Sequence, residues 1–154
     1  MEFSDLARLA TGHVEARIVQ AAVELGIFDA IGNDAFEAGT VANSLNLEPR
    51  ATELMLNALT ALGLLRKQAD RFGLTNVSAR YLKRGTPEYL GGMIRFDASL
   101  WSCWEQLPHA IRNGRPVRPP NMYQENPTET ETFIRAMDSL VKARGDAELM
   151  GQSL

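Results

Sequence analysis

The chain has 154 residues, 45% apolar and 23% charged, with a formal net charge of −3, an ordinary composition for one folded domain with a sizeable core. Cys103 is its only cysteine and His13 and His109 its only histidines, so an internal disulfide is excluded and no clustered metal-ligand set can be written. The acidic start Met1-Glu2-Phe3-Ser4-Asp5 lacks the pattern of a signal peptide, and no apolar run approaches the ~20 residues that span a bilayer, so a soluble cytoplasmic protein with no membrane partner is expected.

Val14, Ile18, Ala21, Ala22 and Leu25 fall at helical spacing, and Gly26 stops that first helix. Leu6, Leu9 and Ala10 extend its apolar surface towards the N-terminus, past a Gly12 that weakens it. Apolar groups lie on more than one side. Such a helix is either buried in its own domain or shared with another chain, and the pattern favours a dimer interface through Leu6, Leu9, Val14 and Ile18. Gly26 to Ile31 reads as a short apolar corner leading into a polar loop at Asn33-Asp34.

The stretch from Thr40 to Thr75 has the order of a winged helix-turn-helix. Thr40 is placed to cap a short helix through Leu45, and Asn46-Leu47-Glu48 makes the turn. Pro49 opens a second helix that runs to Leu62 and stops at Gly63. Leu64 to Lys67 and Arg71 to Leu74 read as two short strands, a two-stranded wing turning through Gln68-Ala69-Asp70. Ala79 to Leu82 continues as a short helix, which Lys83-Arg84-Gly85-Thr86-Pro87 breaks.

A long helix is predicted from Glu88 to Arg112, with the stripe Leu90, Met93, Ile94, Leu100, Trp101, Trp104, Leu107 and Ile111. Pro108 cannot donate to the Trp104 carbonyl and should kink or restart it, and Asn113-Gly114 ends it. Asp97 interrupts the stripe; either it is buried against an arginine or a helix end, or it stands in solvent at a bend. Arg115 to Met122, with three prolines, is an extended connector. Asn126-Pro127 opens another helix, with Glu129 and Glu131 near its positive end and Lys142 and Arg144 near its negative end. Its stripe is Phe133, Ile134, Met137, Leu140 and Val141, and Gly145 closes it. Asp146 can cap one more helix from Ala147, and Leu154 is reached without a stop signal, from which a fragment of a longer protein is expected.

The expected fold is therefore mainly α: one domain over residues 1–154, with a winged-helix core over about 38–76 and a helical extension over about 87–154. No catalytic residue is assignable. Gly91-Gly92 lies inside a helical pattern rather than after a strand, so it is no phosphate loop, and neither histidine has a ligand-spaced partner.

Several blocks together resemble the N-terminal dimerisation domain of S-adenosylmethionine-dependent O-methyltransferases of the plant caffeate type and the bacterial hydroxyneurosporene or polyketide type. They are Leu9-Ala10-Thr11-Gly12 with Ala22 to Asp29, then Thr40 to Leu45, Arg50 to Leu54 and Leu62 to Leu65. Tyr89 to Gly92, Trp104 to Leu107 and Phe133 to Met137 continue the similarity. The resemblance implies an intertwined homodimer that roofs the pocket of a small hydroxylated acceptor, with Phe133 and Met137, and less specifically Trp104, facing that acceptor. It also implies a following Rossmann-like domain with the glycine-rich loop for S-adenosylmethionine and a histidine base that deprotonates the acceptor hydroxyl for in-line attack on the methyl group. Neither part lies in this sequence, so the chain alone is expected to bind no cofactor and to be inactive.

Plainer roles stand beside these. Phe133 and Met137 are one turn apart in an apolar stripe and Trp101 and Trp104 share a helix face, which packing alone explains. The rival reading is a winged-helix DNA-binding regulator, since Gly39 to Gly85 carries seven basic residues against three acidic ones, a local +4. Against it, the second helix offers only Arg50, Glu53, Asn57 and Thr60 on its polar face, a poor set for reading base edges, so a nucleic-acid partner is not expected.

Overall fold

A computed structural model describes residues 1–145; the helix expected from Ala147 lies outside them. The chain divides into two compact units at Thr86–Pro87.

In the first unit, α1 (Phe3–Leu25) runs through Gly12 and stops at Gly26, whose φ of +77° is the left-handed cap a glycine supplies without strain. The expected apolar corner is a one-turn helix, α2 (Ile27–Ile31), with Ile27, Phe28 and Ile31 fully buried. A strand unforeseen in the sequence, β1 (Ala35–Glu37), follows it. Because α3 (Ala38–Leu45) begins directly after that strand, Glu37 takes the cap position and Thr40 lies inside the helix rather than capping it. Asn46 turns the chain in the left-handed region, and the Glu48 carboxylate accepts from the backbone of Arg50 and Ala51 to start α4 (Pro49–Ala61).

The wing is present as β2 (Leu65–Gln68) and β3 (Arg71–Leu74), and β1 adds a third antiparallel strand on the far side of β3, aligning Phe36 with Phe72. β2 starts one residue later than expected. The Leu64 carbonyl, which accepts the Thr75 backbone N–H only at 3.4 Å, is engaged also by the Ser78 hydroxyl at 2.6 Å and the Thr75 hydroxyl at 3.2 Å. Those same two side chains form a capping box, so α5 (Asn76–Tyr81) begins before the Ala79 expected for it. Val41, Leu56, Leu59 and Phe72 join the α2 side chains as a core, each burial worth about 1.5–3 kcal/mol.

In the second unit, the single helix expected over Glu88–Arg112 is three: α6 (Gly91–Ser99), α7 (Trp101–Glu105) and α8 (Leu107–Asn113). Leu100 and Gln106, with φ near −87° and ψ near 0°, mark the breaks. Pro108 accounts for the second, since the first turn of a new helix is where its missing donor does no harm. Next to the first, the Ser99 hydroxyl turns back to the Phe96 carbonyl at 2.6 Å and competes with the backbone ladder. The connector leads to a short α9 (Met122–Glu125) and then to α10 (Pro127–Arg144), capped by Asn126 and closed by Gly145 as the sequence suggests.

The α10 stripe is only partly the packed face. Ala136 and Ser139 are its buried residues, while Ile134 and Val141 are exposed. Close approach of α6 is the reason: a Cβ on Gly92 would sit 3.0 Å from that of Ser139, so small residues meet there, and the Ser139 hydroxyl donates to the Tyr89 carbonyl at 2.6 Å. Gly92→Ala is expected to lower the unfolding free energy by about 1–3 kcal/mol in a denaturant titration. Gly39→Ala, where an added Cβ meets nothing within 4 Å, should be neutral or stabilising by up to about 1 kcal/mol.

Candidate functional site

The helix pair α6 and α10 builds an aromatic wall. Phe133 on α10 meets the edge of Phe96 on α6 with ring centroids 5.6 Å apart and planes at 62°. Its ring also lies 4.6 Å from that of Tyr123 on α9, tilted by 30°. Both geometries are favourable for aromatic pairs. Met137 stands half-buried one turn beyond Phe133. Trp104 is 61% exposed on α7 and makes no ring contact with the wall among the described residues. Phe96 and Tyr123 belong to the cluster although the sequence did not single them out.

Phe96 itself is core, 6% exposed, with Phe133, Tyr123 and Met137 half-buried beside it. The wall's side chains are Phe96, Phe133, Tyr123 and Met137, of which only the Tyr123 phenol can exchange a proton, and among the described residues no group of three His, Cys, Asp or Glu side chains could hold a metal ion. Gly91-Gly92 opens α6 and is filled by Tyr89 and Ser139, leaving no cradle for a phosphate or a nucleotide. His13 and His109 are both exposed, and the His109 ring lies 3.0 Å from the Asn113 amide. A separate, half-open hollow of about 460 Å3 is lined by Gln106, His109, Asn113, Arg115, Pro116 and Val117, none of them in the wall. Asp97, next to Phe96, is exposed near the α6–α7 bend, and partial desolvation holds its carboxyl above the usual carboxylate range.

The exposed N-terminal part of α1 is the other candidate surface. From Met1 to Val19 no residue is buried; Leu6 is 58%, Leu9 64% and Val14 47% exposed, and Ile18 is half-buried. The wing offers less. Arg66 donates to the Leu74 carbonyl at 2.6 Å and Arg71 to that of Ala35 at 2.9 Å, so both guanidinium groups brace their own sheet. Lys67 reaches Asn57 at 3.0 Å, Lys83 reaches Asn33 at 2.7 Å, and Arg84 pairs with Asp29 at 3.2 Å. The +4 counted in sequence is largely engaged internally, and Asn57, one of the few polar groups on α4, is held by Lys67. No observation favours a DNA reader. Among the described residues no helix is long and apolar enough to cross a membrane.

Residues 7–84 match the family model of the O-methyltransferase dimerisation domain. The chain is 35% identical over 126 residues to 3-hydroxy-5-methyl-1-naphthoate 3-O-methyltransferase of Streptomyces sahachiroi, a match covering 78% of this chain and 36% of that protein. It is 34% identical to acetylserotonin O-methyltransferase of Rattus norvegicus over 74% of this chain and 27% of that one. An O-methyltransferase family protein from Burkholderia thailandensis superposes with a TM-score of 0.80 at 26% identity, over 96% of this chain and 45% of that structure. The chain thus spans about a third of the length of these curated relatives and under half of the matched structure.

Asp97 yields a pH prediction. Its folded carboxyl titrates above the unfolded one, so its ionisation disfavours folding above both values and the penalty disappears below them. Asp97→Asn should therefore raise the melting temperature at pH 7 relative to the parent, with the difference closing as the pH falls into the carboxylate range.

Proposed function

Because this chain belongs to the O-methyltransferase dimerisation-domain family, we propose that it is the subunit-pairing and acceptor-covering part of an S-adenosylmethionine-dependent O-methyltransferase. The homodimer forms through the arm of α1, and the acceptor is a small hydroxylated compound, aromatic or polyketide-like. The observation that carries the pairing is the exposed apolar surface of α1 at and just before the start of the matched region, where Leu6, Leu9 and Val14 are 58%, 64% and 47% exposed. An exposed apolar surface rimmed by charge is what an association site requires.

The residues present do not fit the methyl donor, whose glycine-rich loop has no counterpart here, and no step of methyl transfer is assigned to them. Their contribution is physical. Phe133 and Met137 give an acceptor a wall of low polarity, which excludes water and restricts the orientation of a flat ring. Trp104, exposed on α7, is proposed to complete that pocket from a second side.

Light scattering on the chain is expected to give the mass of a dimer, and the double substitution Leu6→Glu, Leu9→Glu that of a monomer with unchanged helical circular dichroism. A monomeric parent at high concentration would remove the interface. Calorimetry with S-adenosylmethionine should give no binding heat on this chain; tight binding would contradict the division of labour. Salt-sensitive retention of a DNA duplex in a mobility shift would instead favour the regulator.

A further inference from the structure

Asn113 is the last residue of α8 and is followed by Gly114, the sole place in the chain where a glycine succeeds an asparagine. A side-chain amide next to a glycine nitrogen is chemically reactive, because no Cβ shields that nitrogen. Four features leave this pair open to reaction. Asn113 and Gly114 are both exposed. A Cβ built on Gly114 would meet nothing within 4 Å. The Gly114 N–H, at φ +62°, has no hydrogen-bond partner among the described residues, whereas the left-handed glycines after α1 and α10 donate to the Val23 and Lys142 carbonyls at 3.3 and 3.2 Å. Lastly, α8 has seven residues and buries none of them, so its final turn opens at little cost. The Asn113 amide nitrogen donates to the His109 carbonyl and lies against the His109 ring, each at 3.0 Å. That nitrogen is thus held on the side of the preceding turn, while Gly114 follows on the other.

We infer that Asn113 is a site of self-modification, its side-chain amide being lost through a cyclic imide formed with Gly114. Solvent hydroxide removes the Gly114 amide proton, and that nitrogen attacks Cγ of Asn113. A five-membered ring closes as the bond from Cγ to Nδ2 breaks, and Nδ2 leaves as ammonia with a proton returned by water. Water then opens the ring at one carbonyl or the other. One opening leaves an aspartate, the other an isoaspartate whose main chain runs through the former side chain. The sum is amide plus water to carboxylate plus ammonia, with no oxidant or reductant. Either product sets a negative charge at the negative end of α8, where the helix dipole disfavours it. The new carboxylate stands with His109 and Arg115 in the lining of the hollow of about 460 Å3. The isoaspartate also lengthens the main chain by one methylene at the entry to the proline-bearing connector.

The test ages the full chain in mildly alkaline buffer, native in one arm and unfolded in urea in the other. Peptide mass spectrometry reads amide loss as a gain of one mass unit, and electron-transfer fragmentation locates it and separates isoaspartate from aspartate. Asn113 is expected to react before the other asparagines. Its native rate should lie within about fivefold of its rate in urea, since the end of an unburied helix opens with a free energy near zero. Asn113→Gln should abolish the early product. Gly114→Ala, whose methyl group crowds the attacking nitrogen, should slow the reaction in both arms, with helical circular dichroism unchanged. A native rate lower than that bound would show that α8 guards the amide, and the site would be overturned. Earlier loss at Asn33 or Asn43 in the native arm would overturn it equally.

Discussion

The contact between Gly92 and Ser139 sets the geometry on which the second unit depends. With no side chain on Gly92, α6 and α10 come close enough for the Ser139 hydroxyl to reach the Tyr89 carbonyl at 2.6 Å. That bond ties the segment before α6 to the middle of α10, and the register it sets brings Phe96 to Phe133 two turns away along α10. Phe133 then supports Tyr123. One missing methyl group thus governs three rings. Interiors transmit small changes of this kind because they are close-packed and have little slack.

The first unit is organised differently, around a small sheet in which two arginines bond backbone carbonyls of neighbouring strands. Arg66 and Arg71 do backbone work on β3 and β1, and Lys67 lies 4.7 Å from the Phe72 ring centre as well as bonding Asn57. The fold is one that reads DNA in other settings, yet fold alone does not fix use. Here several of the groups that would meet phosphates, though exposed, are bonded to their own scaffold, and an apolar surface is exposed on α1.

Legibility in the sequence followed the range of the interactions. The bounds of α4 and α10 were readable because Glu48-Pro49, Asn126-Pro127, Gly63 and Gly145 act within a few residues of the helix they start or stop. β1 was not, because three residues held only by pairing with β3 some 36 positions later leave no periodic trace. The break at Leu100 was equally silent: no proline or glycine marks it, and the apolar stripe runs straight across. The candidate site shows the same division. Phe133 and Met137 stood on a helix with clear periodicity and matched a family block, so the sequence singled them out. Phe96 fell outside the stripe drawn for an unbroken helix, and Tyr123 sat between the three-proline connector that ended at Met122 and the helix expected from Asn126-Pro127. The aromatic residues nearest the prolines were the one available signal.

The arm of α1 carries a hazard as well as an opportunity. Greasy side chains displayed on an exposed helix invite adhesion to any surface, and a cell is crowded with such surfaces. The chain sets Asp5, Arg8, Glu15 and Arg17 among Leu6, Leu9, Val14 and Ile18, so that an indiscriminate partner must strip water from mixed charges to reach the oil between them. Only a surface with matching charges and matching gaps escapes that toll. Selectivity and stickiness thus share the same nineteen or so residues, none of them buried.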